Sequence, residues 1–298
     1  MSYLRRASPL HAARAGAGCA YCIALACGAL LLSAPVALAA LTVAIFLAGV
    51  AAGVGRQMRR AALLGAGLWL MVAAINAIVA GGQGLTVIVR LGDLPLLGHT
   101  DITLESLVYG GILGLRAVAL ILCGALYTAA VDPDEVLKLF RRVSFHSALT
   151  ATLATRMVPI LIRDSRRLAD AQRCRPGRPP SRVALLRATT SGVLDRALDV
   201  AASLEVRGYG AARRAPRRRA PGVRAPRACE PYSRHDLAFI AASAAIVALS
   251  IGARVANLAP FHAYPALRAP LPGGELALAA ALLVCALLPF ADRRGIER

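Results

Sequence analysis

Six long apolar runs constrain this chain more than any other feature of its sequence. They occupy residues 17–34, 36–54, 61–82, 104–130, 236–256 and 275–291. A helix that crosses a bilayer needs about 20 mostly apolar residues, so each run predicts a membrane-spanning helix. Residues 17–54 are interrupted by Pro35, which fits two short spans or one span followed by an interfacial helix. The predicted fold is an all-α polytopic membrane protein with about six transmembrane helices.

The composition leaves two explanations for a large positive charge. Apolar residues make up 57% of the chain and charged residues 17%, yet the net charge is +19. A soluble domain has about 25% charged residues, so the balance favours the membrane class. Arginines concentrated in cytoplasmic loops would explain the charge, and so would nucleic-acid binding. The position of the arginines decides between the two.

The arginines lie almost entirely on one side of the predicted spans. Those before the first span, at 56–60, in the block 131–235 and at 293–298 share that side, and the block alone holds 22 of the 35 Lys+Arg. The opposite side receives only Arg90, Arg254 and Arg268. Positive loops remain in the cytoplasm, so both termini and the block are predicted to be cytoplasmic. Orientation thus explains the charge without a nucleic-acid partner.

This topology divides the chain into four predicted regions. They are a membrane region of four spans (1–130), cytoplasmic coupling helices (131–210), a basic linker (211–235) and a membrane region of two spans (236–298). The linker is rich in Arg, Pro and Ala and lacks interleaved aromatic residues, so it is predicted to lie near lipid headgroups rather than on nucleic acid.

Three helices are predicted in the cytoplasmic block. Asp132 and Pro133 have the residue types of an N-cap and a first helical position, and start a short helix over 132–143. Two long amphipathic helices follow, at 146–175 with Pro159 as a kink, and at about 183–207. Each long helix ends in an arginine, Arg175 or Arg207, followed by glycine or proline. One such cation complements the helix dipole for about 0.3–1 kcal/mol; the paired arrangement favours a functional role.

Five stretches resemble one family in family order. They are "INAIVAGGQGLTVIVR" (75–90), "ITLESLVYGGILGLRAVALIL" (102–122), "TAAVDPDEVLKLFRRV" (128–143), "ATRMVPILIRDSRRLADAQRCRPG" (154–177) and "LDRALDVAASLEVRGYG" (194–210). The chain is similar to the transmembrane T component of energy-coupling factor (ECF) importers, the EcfT/CbiQ family. There, two Ala-Arg-Gly-type motifs end the coupling helices. The corresponding triplets here are Cys174-Arg175-Pro176, with Gly177 next, and Val206-Arg207-Gly208. Alanine is replaced in both triplets, and proline replaces glycine in the first.

The resemblance implies the partners and the work of the chain. Cys174, Arg175, Gly177, Val206, Arg207 and Gly208 would couple it to two ATP-binding cassette ATPase subunits in a bacterial plasma membrane. A membrane substrate-specificity (S) component would select a vitamin or transition-metal ion. The chain itself would be non-catalytic and without a cofactor. It has no G-x-x-x-x-G-K-[ST] motif, since its one lysine, Lys138, follows leucine, so ATP would be bound by the partner subunits.

Charged and small residues within the spans suggest further sites. Arg116 is costly inside a membrane, so it is a candidate functional residue, with Asn76 or Glu105 as candidate partners. The alternative function, a stand-alone carrier or intramembrane enzyme, would use Arg116, Glu105 or Asp101. The pairs Gly49/Gly53 and Gly110/Gly114 predict close helix packing, within the chain or against a membrane partner.

A metal site is not predicted. Cys19 and Cys22 form a C-x-x-C, which binds metals or does redox chemistry in other settings, but no second pair and no nearby histidine accompanies it. Small apolar residues in a membrane helix are the simpler interpretation. The five histidines are scattered along the chain.

Overall fold

The computed structural model describes residues 8–79, 87–94, 98–140, 145–174, 182–208, 233–256 and 272–292. These residues form ten α-helices, two strands and a 3-10 helix. The helices are α1 (Pro9–Ala12), α2 (Ala15–Leu31), α3 (Pro35–Ala51), α4 (Gly55–Val79), α5 (Leu104–Ala130), α6 (Pro133–Phe140), α7 (Phe145–Arg173), α8 (Arg182–Val206), α9 (Arg234–Val255) and α10 (Pro272–Leu287), and the 3-10 helix is Leu288–Phe290. Two compact units result: the membrane unit, Met1–Leu139 with Pro231–Arg298, and a second unit, Phe140–Glu230, called the coupling unit after the role that the sequence predicts for its helices.

The predicted all-α architecture is confirmed, with one short exception. The strands β1 (Val87–Leu94) and β2 (Gly98–Thr103) form an antiparallel hairpin between α4 and α5. Its register pairs Arg90 with Asp101 and Leu94 with Gly98. The sequence predicts an external loop here with a short strand-like or re-entrant piece. The hairpin ends at Thr103, whose side chain accepts a hydrogen bond from the Ser106 N–H and caps α5.

The predicted spans fall on the helices of the membrane unit. Four helical segments of the described residues are long and apolar enough to cross a membrane: Gly55–Ile78, Leu104–Ala130, Arg234–Val255 and Gly273–Phe290. The runs at 17–34 and 36–54 become α2 and α3, two apolar helices of 17 residues each. Seventeen residues extend about 26 Å, close to the hydrocarbon thickness of about 30 Å. The chain is therefore a polytopic membrane protein.

An apolar core joins five of these helices. Helix α2 packs on α9, α3 on α10, and α5 on both α2 and α3. Three aromatic rings pack α2 against α9 and the 3-10 helix. The ring centroids of Tyr21 and Phe239 are 5.2 Å apart, and those of Phe239 and Phe290 are 5.3 Å apart, both edge to face. The Tyr21 hydroxyl donates to the Ala286 carbonyl at 2.7 Å, so its polar atom is satisfied inside the core.

Glycine sets the turn between α3 and α4. Gly53 has φ of 80°, a left-handed conformation that glycine adopts without a Cβ penalty. Its N–H donates to the Val50 carbonyl at 2.9 Å, and the Val54 N–H donates to the Gly49 carbonyl at 3.0 Å. This pair of bonds is a Schellman motif that closes α3. Gly53 therefore terminates a helix, whereas Gly49 faces Met58 of α4.

Gly110 and Gly114 let α5 contact α4 at backbone distance. A Cβ on Gly114 would lie 2.6 Å from Cδ1 of Trp69 and 3.1 Å from its backbone Cα. A Cβ on Gly110 would lie 2.7 Å from Cβ of Asn76. The close packing predicted for this pair is confirmed, and it lies within the chain. Gly111, between them, faces open space, and its carbonyl accepts the Trp69 indole N–H at 2.9 Å.

Alanine at these glycines is expected to have opposite effects on stability. Gly114→Ala should lower the free energy of unfolding by about 1–3 kcal/mol, because Trp69 and the α4 backbone must move. Gly111→Ala meets no atom and should raise it by up to about 1 kcal/mol through better helix propensity. Denaturant titration of the purified chain in detergent micelles, followed by circular dichroism, measures both. Equal effects would show that α4 and α5 do not meet at this face.

Candidate functional site

The C-terminal end of α8 presents Arg207 on a defined turn. Gly208 has φ of 78°, and its N–H donates to the Glu205 carbonyl at 2.9 Å. Gly208 therefore stops α8 immediately after Arg207, as a left-handed residue at a helix end does. Arg207 and Val206 are both exposed, and the Val206 side chain is 90% accessible. A fully charged guanidinium and an apolar side chain thus project together from the helix tip.

The C-terminal end of α7 is described as far as Cys174. The helix ends at Arg173, and the Cys174 N–H still donates to the Asp170 carbonyl at 3.2 Å. Cys174 is exposed. Arg175 and Gly177 lie outside the described residues. Their predicted coupling role stays a prediction.

An ion pair joins the two long helices of the coupling unit. The Asp164 carboxylate of α7 accepts a hydrogen bond from the Arg196 guanidinium of α8 at 2.8 Å. A cavity of about 450 Å³ lies beside the pair, lined by Leu161 and Leu168 of α7 and Val193 of α8, among others. The helices therefore meet through an ion pair at the edge of open space rather than through a filled apolar seam.

This ion pair has the same sequence offset from both predicted tips. Asp164 precedes Arg175 by eleven residues, and Arg196 precedes Arg207 by eleven residues. Within the described residues, α7 continues for nine residues beyond Asp164 and α8 for ten residues beyond Arg196, or about 14 and 15 Å. The sequence interpretation missed Asp164 and Arg196. Their opposite charges at the same offset from the two arginines are the signal that would have found them.

The apolar stripe of α8 faces away from α7. Apart from Val193, the α8 residues that line the cavity beside α7 are small or polar, including Ala188, Gly192 and Asp199. Four apolar side chains on the opposite side of α8 form an exposed stripe that is at least 62% accessible: Val183, Leu186, Leu194 and Leu198. An exposed apolar stripe bordered by polar residues is typical of a surface that binds a protein or a membrane.

Arg116 binds backbone carbonyls and not the partners predicted for it. Its Nε donates to the Ala29 carbonyl at 3.2 Å, and its Nη2 donates to the Leu32 carbonyl at 2.9 Å. These oxygens lie at the C-terminal end of α2, where carbonyls lack helical partners and the dipole is negative. Arg254 of α9 adds a bond to the Leu31 carbonyl at 3.2 Å.

The two predicted partners of Arg116 have other surroundings. The Asn76 side-chain amide donates to the Val72 carbonyl of its own helix at 2.9 Å. Glu105 is buried in the first turn of α5. It precedes Arg116 by eleven residues, or about 16 Å of helix. The structure therefore does not bring Arg116, Asn76 and Glu105 together as one site.

The described residues contain no group of three or more His, Cys, Asp or Glu side chains that could hold a metal ion. Cys19 and Cys22 are free thiols on α2. The structure thus adds nothing that favours the metal-binding interpretation of this pair.

Comparison with protein families identifies the family to which the chain is similar. A family model described as CbiQ, cobalt transport protein, matches residues 6–217. The match covers more than two thirds of the 298 residues and includes α1 to α8. No curated protein matches the chain.

Proposed function

This chain belongs to the CbiQ family of cobalt transport proteins, and from that premise we propose that it is the energy-coupling membrane subunit of an ECF-type, ABC-driven importer. It would link a pair of cytoplasmic ATPase subunits to a membrane substrate-binding component in a bacterial plasma membrane. The family description favours a transition-metal ion over a vitamin as substrate. Both termini and the coupling unit would lie in the cytoplasm.

The observation that carries the proposal is the exposed tip of α8. Arg207 and Val206 project from a helix end that Gly208 fixes. A guanidinium binds carboxylates through two parallel hydrogen bonds and keeps its charge at every physiological pH. Such a tip suits a groove on an ATPase subunit, and the equivalent tip at Arg175 would suit the second subunit of the pair.

The exposed stripe of α8 suits the membrane partner. Val183, Leu186, Leu194 and Leu198 occupy one side of a cytoplasmic helix and are not used against α7. A substrate-binding membrane protein has apolar surface to bury against such a stripe. Movement of the tips, driven by the ATPase pair, would then reach that protein through the same helix. The chain would transmit energy and catalyse no reaction itself.

Reconstitution separates this function from a stand-alone carrier or enzyme. We expect liposomes that hold the chain with its two ATPase subunits and its membrane partner to accumulate ⁵⁷Co²⁺ only when ATP is present. Liposomes that hold the chain alone should accumulate none and should not hydrolyse ATP. ATP-independent accumulation by the single chain would contradict the proposal and favour the alternative, with Arg116, Glu105 or Asp101 as its site.

A further inference from the structure

The coupling unit is connected to the membrane unit by two short segments. The chain leaves the membrane unit through α6 and returns to it at the start of α9, on either side of residues Phe140–Glu230. The described residues that flank the coupling unit on the membrane side are therefore those of α6 and of the first turn of α9.

The returning segment is fixed by Asp236, which is 1% accessible. Its Oδ1 accepts the backbone N–H of Arg14 at 2.7 Å, and its Oδ2 accepts the N–H of Ser233 at 2.9 Å. The Arg14 Nε lies 3.6 Å from Oδ2. One carboxylate therefore closes the capping box of α9 and also binds the residue that precedes α2.

Helix α6, through which the chain leaves the membrane unit, also contacts the start of α2, and it does so through Glu135. Its Oε2 accepts the backbone N–H of Ala15, the first residue of α2, at 3.2 Å. Asp132 caps α6, since its Oδ1 accepts the Asp134 N–H at 2.9 Å, so Glu135 is held at a defined position. A cavity of about 220 Å³, lined by Leu10, Gly18 and Val131 among others, lies beside this bond. The Glu135 side chain therefore lines a cavity, whereas the Asp236 side chain is buried.

Both carboxylates meet an N-terminus that has no cap of its own. Arg14 occupies the N-cap position of α2 and makes no side-chain capping bond. Free N–H groups and the positive end of the dipole favour carboxylates there. At its other end, α2 is bound by Arg116 and Arg254. Helix α2 is about 26 Å long and accepts or donates side-chain hydrogen bonds at both of its ends.

We propose that the N-terminus of α2 is the anchor at which both connections of the coupling unit are held. Glu135 and Asp236 are positioning residues that pass movement of that unit to the membrane helices through α2. Asp236 is the fixed attachment, and Glu135, beside the cavity, is the one that shifts. The inference rests on the proposed coupling function, because it needs a coupling unit that moves with nucleotide.

The membrane unit supplies a matched control in Glu275. Its Oε1 accepts the Val36 N–H at 3.0 Å, so a buried carboxylate of α10 caps α3 just as Asp236 caps α2. Glu275 is not on either connection to the coupling unit. Glu275→Gln replaces this carboxylate by a neutral amide, as Glu135→Gln does, so it weakens the same kind of charge-assisted bond without altering the proposed route.

The test uses the complete complex with its ATPase subunits in nanodiscs. Hydrogen–deuterium exchange of residues 14–31 is compared with and without ATP. We expect a nucleotide-dependent difference in the wild type and in Glu275→Gln, and a difference smaller by about fivefold or more in the Glu135→Gln/Asp236→Asn double variant. Co-purification of the ATPase subunits should be unchanged in all three, because no tip residue is altered.

Three results would overturn the inference. One is a wild-type nucleotide response that the double variant retains; a second is an absence of any response in α2 of the wild type. An equal loss in Glu275→Gln would also overturn it, since general destabilisation would then explain the effect. Failure of the wild-type chain to bind ATPase subunits is a separate readout, and it would refute the proposed function itself.

Discussion

A chain in which Arg175 and Arg207 are both replaced by alanine is expected to lose its ATPase subunits on purification while still inserting into the membrane. Arg207 is exposed at the end of α8 and belongs to neither the apolar core nor the ion pair between α7 and α8. Its removal should therefore leave the fold of the chain unchanged. The double variant should therefore lose only its binding to the ATPase subunits.

The size of the effect follows from what an interface arginine contributes. Truncation of a central arginine typically costs 2 kcal/mol or more. Two such losses sum to about 4 kcal/mol, which weakens binding by roughly a thousandfold. Each single variant should lose about thirtyfold and retain one ATPase contact. Co-purification of tagged ATPase subunits with the solubilised chain, at equal expression, measures the difference.

Arg163 and Arg187 provide the control for lost charge. Both are exposed, one on α7 and one on α8, and neither is at a helix tip. The Arg163→Ala/Arg187→Ala variant removes the same net charge from the same two helices and should keep its ATPase subunits. Stoichiometric co-purification from the tip double variant would contradict the assignment of Arg175 and Arg207. Loss in both variants would show that overall charge is what matters.

The helices of this chain could be predicted because their signals are local. The runs at 104–130 and 236–256 fall on α5 and α9 within about two residues, since apolar length alone specifies a span. The start of α6 at Pro133 and the end of α8 before Gly208 follow from capping residues. These features depend on neighbouring residues and do not require a tertiary structure.

The contacts between helices could not be predicted in the same way. Glu135 and Asp236 both bind the start of α2, yet they are separated from it by 120 and 222 positions in sequence. Their partners are backbone N–H groups, which every residue except proline carries, so no side-chain pattern marks them. The same holds for the side of α8 that meets α7, because the amphipathic pattern does not specify that Val183, Leu186, Leu194 and Leu198 stay exposed.

Arg116 shows the consequence of that limit for a candidate site. A charge within an apolar run indicates a functional residue, and complementary polar side chains such as Asn76 and Glu105 are natural partners to seek. The structure instead pairs it with the carbonyls of Ala29 and Leu32. The guanidinium donates hydrogen bonds to two carbonyls that would otherwise lack a partner in an apolar environment. This supports a stabilising role for Arg116.

Arg116→Met is accordingly expected to destabilise the chain strongly. Methionine keeps the apolar stem and removes the donors, so both carbonyls lose their bond to the guanidinium. Each buried acceptor left unsatisfied costs about 1–3 kcal/mol. The free energy of unfolding should fall by roughly 2–6 kcal/mol in total, measured by denaturant titration in detergent micelles. The α2–α3 turn should become the first region to exchange its amide hydrogens.

Arg254→Met is the matched comparison, because Arg254 is exposed and gives one bond, to Leu31, at the same helix end. A bond that water can replace contributes about 0.5–1.5 kcal/mol at most. We therefore expect a clear difference between the two variants in stability. If Arg116→Met unfolds like the wild type and instead abolishes ATP-driven uptake, the guanidinium acts in transport. A stabilising role alone predicts the reverse: the surviving folded fraction should transport at the wild-type rate per molecule.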